Sequence, residues 1–155
     1  MNARPLHNDI SPQWREITHE QVADLDRAAT NGASWDFYCG SYIHHPTVCG
    51  NKMSGLVQDA VAEYFAEIRV DQNRLIAGCN CGERTGICKH AVALLYSWVD
   101  DGDGFLNVAD ALKRLRHKDK EDLLAILGRL LMLDPRNLSL LDENSPVGSF
   151  EEDDL

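Results

Sequence analysis

At 155 residues, 44% of them hydrophobic, the chain has the size of one domain with a core of modest extent. Its net charge of −10 leaves no overall basic footprint of the kind that gives nucleic-acid binders most of their affinity, so any such contact has to be local or borrowed from a partner. No apolar run reaches the length of about 18 residues that a membrane-spanning helix needs.

The first residues, MNARPLHNDISPQW, lack the apolar stretch of a secretory signal. A cytoplasmic location with reduced thiols is expected. Five cysteines are an odd number for a disulfide framework, and their clustering points to metal or redox chemistry.

Residues 1–17 read as an irregular lead-in. A helix follows, with Thr18 as cap and Gln21 completing a capping box. Val22, Leu25 and Ala29 give it one apolar face, and Asn31-Gly32 ends it in residues that accept a left-handed backbone. From Ala33 to Met53 the pattern is irregular, with Trp35, Phe37, Tyr38 and Tyr42 as anchors of a loop packed on the core.

Residues 55–63 fit a helix or a strand, and a strand is favoured. Ala66 to Val70, the turn residues Asp71-Gln72-Asn73, and Leu75-Ile76-Ala77 predict a β-hairpin over 64–79. Ala91, Leu94, Leu95 and Trp98 define the buried stripe of a helix over 88–99. The run DDGDG breaks it. Asn107 caps a helix to about Arg116, a longer helix spans 119–133, and Asp134-Pro135 opens a last short helix through Leu141. The tail, 142–155, is acidic, poor in apolar residues and expected to be disordered.

The chemistry lies in GCNCGERTGICKHAVALL, Gly78 to Leu95. Cys79, Cys81, Cys88 and His90 are four ligands of the kind that zinc takes in a tetrahedron. Cys79 and Cys81 stand at the end of the second hairpin strand, where residues two apart point the same way. Gly78 and Gly82 free the backbone to curl round an ion. Cys88 and His90 are also two apart. On a regular helix such residues diverge by about 200°, so Cys88 is expected just before the helix and His90 in its first turn. A thiol redox centre more often uses C-x-x-C and has no need of His90.

This arrangement resembles the SWIM zinc finger, whose pattern is C-x-C, a variable spacer, then C-x-H at a helix start. The stretches YFAEIRVDQNRLIAG and CKHAVALL, with Ala93 three residues after the histidine, are similar to the family's hairpin and helix. LRHKDKEDLLAILGRLLMLDP is similar to the helical segment that follows the finger in prokaryotic members. The match spans about 64–98 and, more loosely, reaches Leu141.

The resemblance implies an α+β fold: a small zinc-stabilised hairpin and helix packed with N- and C-terminal helices. The expected organisation is a lead-in over 1–17, the finger-bearing part over 18–99, a helical segment over 105–141 and the tail. The family implies one structural zinc on Cys79, Cys81, Cys88 and His90, and a role in binding proteins or DNA. Members include parts of Swi/Snf-type ATPases, Mutator-type transposases and partners of recombination proteins.

A stand-alone adaptor with a protein partner, such as a Swi/Snf-type ATPase or a recombination protein, is therefore expected, with no small-molecule substrate and no membrane. The alternative is direct DNA or RNA binding through Arg84, Lys89 and the basic cluster Lys113, Arg114, Arg116, His117, Lys118 and Lys120. No phosphate loop, Ser-His-Asp pattern or open metal position argues for an enzyme. The run VDDGDGFLNVAD is similar to a calcium loop, but Val99 occupies its first coordinating position. Cys39 and Cys49 flank His44 and His45 too loosely to predict a second metal site.

Overall fold

The computed structural model describes residues 10–39, 42–83 and 86–141. Arg84 and the tail from Asp142 lie outside them. The described residues divide into two compact units, one up to Ala109 and one from Asp110 onward. The described fold is α+β, with six α-helices and one five-stranded sheet.

The first unit opens with α1 (Pro12–Glu16) inside the segment expected to be irregular. Pro12 sits at the first helical position, where its fixed φ suits the turn and its missing N–H costs nothing. Trp14 is only 1% exposed and belongs to the core. Helix α2 (His19–Thr30) begins as expected, with the Thr18–Gln21 capping box formed and Asn31 left-handed at its end.

Residues 33–53 depart from the expected loop. They form α3 (Ala33–Cys39) and β1 (Tyr42–Cys49), and Lys52 and Met53 already begin β2 (Lys52–Gln58). Neither period is clean in this stretch. The register of β1 slips between His44 and Thr47, where His45 has a positive φ and Pro46 has no N–H to give the ladder. A bulge of this kind interrupts the alternation that marks a strand. Strand β2 ends at Gln58, so the strand favoured over 55–63 starts earlier and stops sooner, and residues 59–62 are a turn.

The hairpin expected over 64–79 is formed by β3 (Glu63–Asp71) and β4 (Arg74–Cys79). Gln72 and Asn73 both have positive φ in its two-residue turn, as the twist of a tight hairpin requires. With the short β5 (Leu106–Asn107), the order across the sheet is β4-β3-β2-β1-β5. All pairs are antiparallel except β1 with β5.

One face of this sheet carries Val48, Met53, Val57, Ala66, Ile68 and Val70, all buried. Helix α4 (Lys89–Asp101) packs against β1 to β4, and against α2 and α3 as well. The expected stripe of four residues is therefore too narrow. Every residue from His90 to Tyr96 is buried, because a helix with neighbours on both sides has no solvent face to spare.

Helix α5 (Val108–Leu115) starts under the Asn107 cap, whose Oδ1 accepts the Ala109 N–H. In the second unit, α6 (Lys120–Leu133) starts under Asp119, and a 3-10 helix, Pro135–Leu141, packs on it. No side chain of α6 is buried.

Candidate metal centre

The centre is assembled where the sheet hands the chain to its central helix. Cys79 is the last residue of β4 and shares the face of Leu75 and Ala77, which pack on the core. Asn80 extends the ladder one step further. Its N–H donates to the Phe65 carbonyl, and its Oδ1 accepts the Phe65 N–H at 2.9 Å. This pins the turn between Cys79 and Cys81. The chain then reverses through Gly82 and Gly86, with φ of 85° and 141°, conformations that favour glycine. Gly78, expected to share that role, instead sits regularly in the ladder opposite Glu67.

Cys88 occupies the N-cap of α4 with extended backbone, φ −80° and ψ 166°, and His90 follows in the first turn. That break in helical geometry lets two residues two apart reach one point. The ligand atoms of Cys79, Cys81, Cys88 and His90 all lie within 4.8 Å of one another. The Nδ1 atom of His90 is 3.7 Å from Cys79 Sγ and 3.9 Å from Cys88 Sγ. Tetrahedral zinc with ordinary bond lengths would set sulfur and nitrogen about 3.6 Å apart and two sulfurs about 3.8 Å apart. Donor set and spacing fit, and the group can hold one metal ion.

The electrostatics fit too. Burial pushes the Cys79 thiol up to about 12, with Cys88 beside it acting the same way. Burial also raises Cys88. Cys81 is the exception: burial acts upward, but a bond from the Glu83 backbone and hydrogen bonds from Cys79 and Cys88 outweigh it and lower the thiol. Neighbouring thiolates repel one another, and a divalent cation among them would offset both that repulsion and the cost of burial. Burial lowers His90 below its ordinary value, which favours the neutral ring that a metal ligand must be.

The far side of the His90 ring is enclosed by residues that the spacing rules did not select. Tyr64 stacks on it with centroids 4.3 Å apart, and Phe37 meets it edge-on at 5.2 Å. Asp59 Oδ2 lies 3.5 Å from His90 Nε2. An aspartate in a turn 31 residues away gives no local sequence signal, since only the β2–β3 register brings it there. Beside the centre, a cleft of about 510 Å³ runs along β4 and is walled in part by Cys79, Ile87 and Cys88.

The other candidate residues are placed differently. Lys89 is partly exposed, lies 3.8 Å from Asp59 Oδ2, and sits over the Phe37 ring at 4.5 Å. The basic cluster belongs to the second unit from Lys113 onward, and Lys113 and Lys118 have acidic partners in Asp110 and Asp122. Cys39 ends α3 and Cys49 ends β1. The calcium-like run is divided between α4, a 3-10 turn over Gly102–Gly104, β5 and α5.

No family model, no curated protein and no solved structure matches this chain. Among the described residues, no helix is long and apolar enough to cross a membrane.

Proposed function

We propose that the chain is a zinc-binding interaction module of the SWIM type, acting as an accessory adaptor between proteins in a DNA-transaction complex. The convergence of the donor atoms of Cys79, Cys81, Cys88 and His90 to within 4.8 Å of one another carries this reading. Three thiolates and one imidazole suit zinc, and carboxylate-seeking cations such as calcium or magnesium do not favour such a set. With four protein ligands no position remains for a reacting water, so the metal is structural and is not itself a centre of catalysis. It ties the end of β4, the glycine turn and the start of α4 into one knot, and its binding free energy becomes part of the folding free energy.

A protein partner is supported by the second unit. Leu124, Leu130 and Leu133 on α6 are at least half exposed, apolar surface available for docking on a partner. The net charge of −10 disfavours the nucleic-acid alternative. Affinity capture with the native protein, run beside a mobility-shift assay with labelled DNA at low salt, separates the two. A co-purifying DNA-processing protein with no DNA shift supports the adaptor. A DNA shift with steep salt dependence and no partner replaces it.

A further inference from the structure

His90 presents two ring nitrogens to two different environments. Nδ1 faces Cys79 and Cys88. Nε2 is buried and has no hydrogen-bond partner among the described residues, in a residue only 4% exposed. A buried ring N–H without an acceptor is costly. The nearest carboxylate oxygen is Asp59 Oδ2 at 3.5 Å, at the outer limit of a hydrogen bond.

Asp59 is itself held in place. Its Oδ1 accepts the N–H groups of Val61 and Ala62 at 2.8 and 3.0 Å, and its own N–H donates to the Ala62 carbonyl. Three hydrogen bonds within one turn fix the carboxylate with Oδ2 turned to His90. Among the described residues, the other charged group near Oδ2 is Lys89, at 3.8 Å and on the solvent side.

We propose that Asp59 is the positioning residue of the metal centre: it takes the Nε2–H of His90 as acceptor and so keeps the Nδ1 lone pair directed at the thiolates. The inference rests on the metal reading above. The imidazole has one proton to place when neutral. With Asp59 on one side and a cation on the other, the proton goes to Nε2 and the lone pair to Nδ1. Tyr64 and Phe37 hold the ring plane, and Asp59 fixes which nitrogen faces inward. The β2–β3 turn thereby becomes part of a metal centre whose ligands all come from later in the chain.

Asp59→Asn is the discriminating variant. Its side-chain oxygen still accepts the turn N–H groups, while an NH2 group replaces the acceptor opposite His90. A purely structural role in the turn is preserved; the role toward His90 is lost. Zinc affinity of Asp59→Asn, measured by competition with a chromophoric chelator, is expected to fall about 10–100-fold. Long-range nitrogen–proton correlation spectra of the zinc-loaded unaltered protein are expected to show His90 protonated on Nε2 and bound to metal through Nδ1. Affinity in Asp59→Asn within about twofold of the unaltered protein overturns the inference. So does ligation through Nε2, which can be read even if the variant fails to fold. An unaltered protein that takes up no zinc overturns the metal reading and this inference with it.

Discussion

Asp26 is only 1% exposed and carries a charge, and its partners explain how the core tolerates it. Oδ1 accepts the Ser34 N–H and the Thr30 hydroxyl; Oδ2 accepts the Trp35 N–H and the Tyr96 hydroxyl, each at 3.0 Å. One carboxylate thus caps the start of α3 and pins α4 to α2. Burial acts to raise its pKa, but the hydrogen bonds from Thr30, Ser34 and Tyr96 together win and lower it. Tyr96 is pushed the other way, up to about 12, by burial and by the same carboxylate.

A group whose folded pKa is depressed contributes stability that is present above its unfolded value, about 3.9, and lost as pH falls through the folded value. Asp26→Asn puts an amide N–H2 against donors, and the expected loss at neutral pH is about 2–3 kcal/mol by urea unfolding. The gap between the two proteins should close on acidification below about pH 4. A gap independent of pH would contradict the assignment. Asp26 carries no mark in the sequence beyond lying in a helix. The Thr18–Gln21 cap on that helix was legible, because a capping box is local and a buried network is not.

Among the elements, those with a strong period or a local stop signal could be read directly: α2, the β3–β4 hairpin, α4 and the two helices after Asn107. Residues 33–53 could not. Trp35, Phe37 and Tyr38 fall on a seven-residue helix too short to show a period, and the β1 bulge at His45-Pro46 breaks the strand alternation.

The contact between β2 and α4 is tight at Gly55. A methyl group there would lie 2.9 Å from Leu94 Cδ1 and 3.4 Å from Ile43 Cγ2. Leu94 is fully buried, so relieving the contact means repacking the core around it. Gly55→Ala is expected to cost about 1–2 kcal/mol in denaturant unfolding, although alanine is the better strand residue in isolation. A variant as stable as the parent would show that the sheet and helix are packed less closely.

For the molecule as a whole, the four candidate ligands were legible because C-x-C and C-x-H are local patterns, and the structure brings their donor atoms together. Asp59, Tyr64 and Phe37 were not linked to them by any pattern. Their proximity to His90 comes from sheet register and from α3 packing on α4. If the metal joins hairpin to helix, removing a ligand acts on folding rather than on a turnover. His90→Ala is expected to lower the melting temperature by about 10 °C or more and to abolish the further loss that a chelator causes in the parent. A folded His90→Ala protein with unchanged melting would contradict a structural metal.

The most direct test is the metal content of the natively purified protein by elemental analysis. One zinc per chain is predicted. A chain free of metal, or one holding close to two zinc ions, would contradict the account.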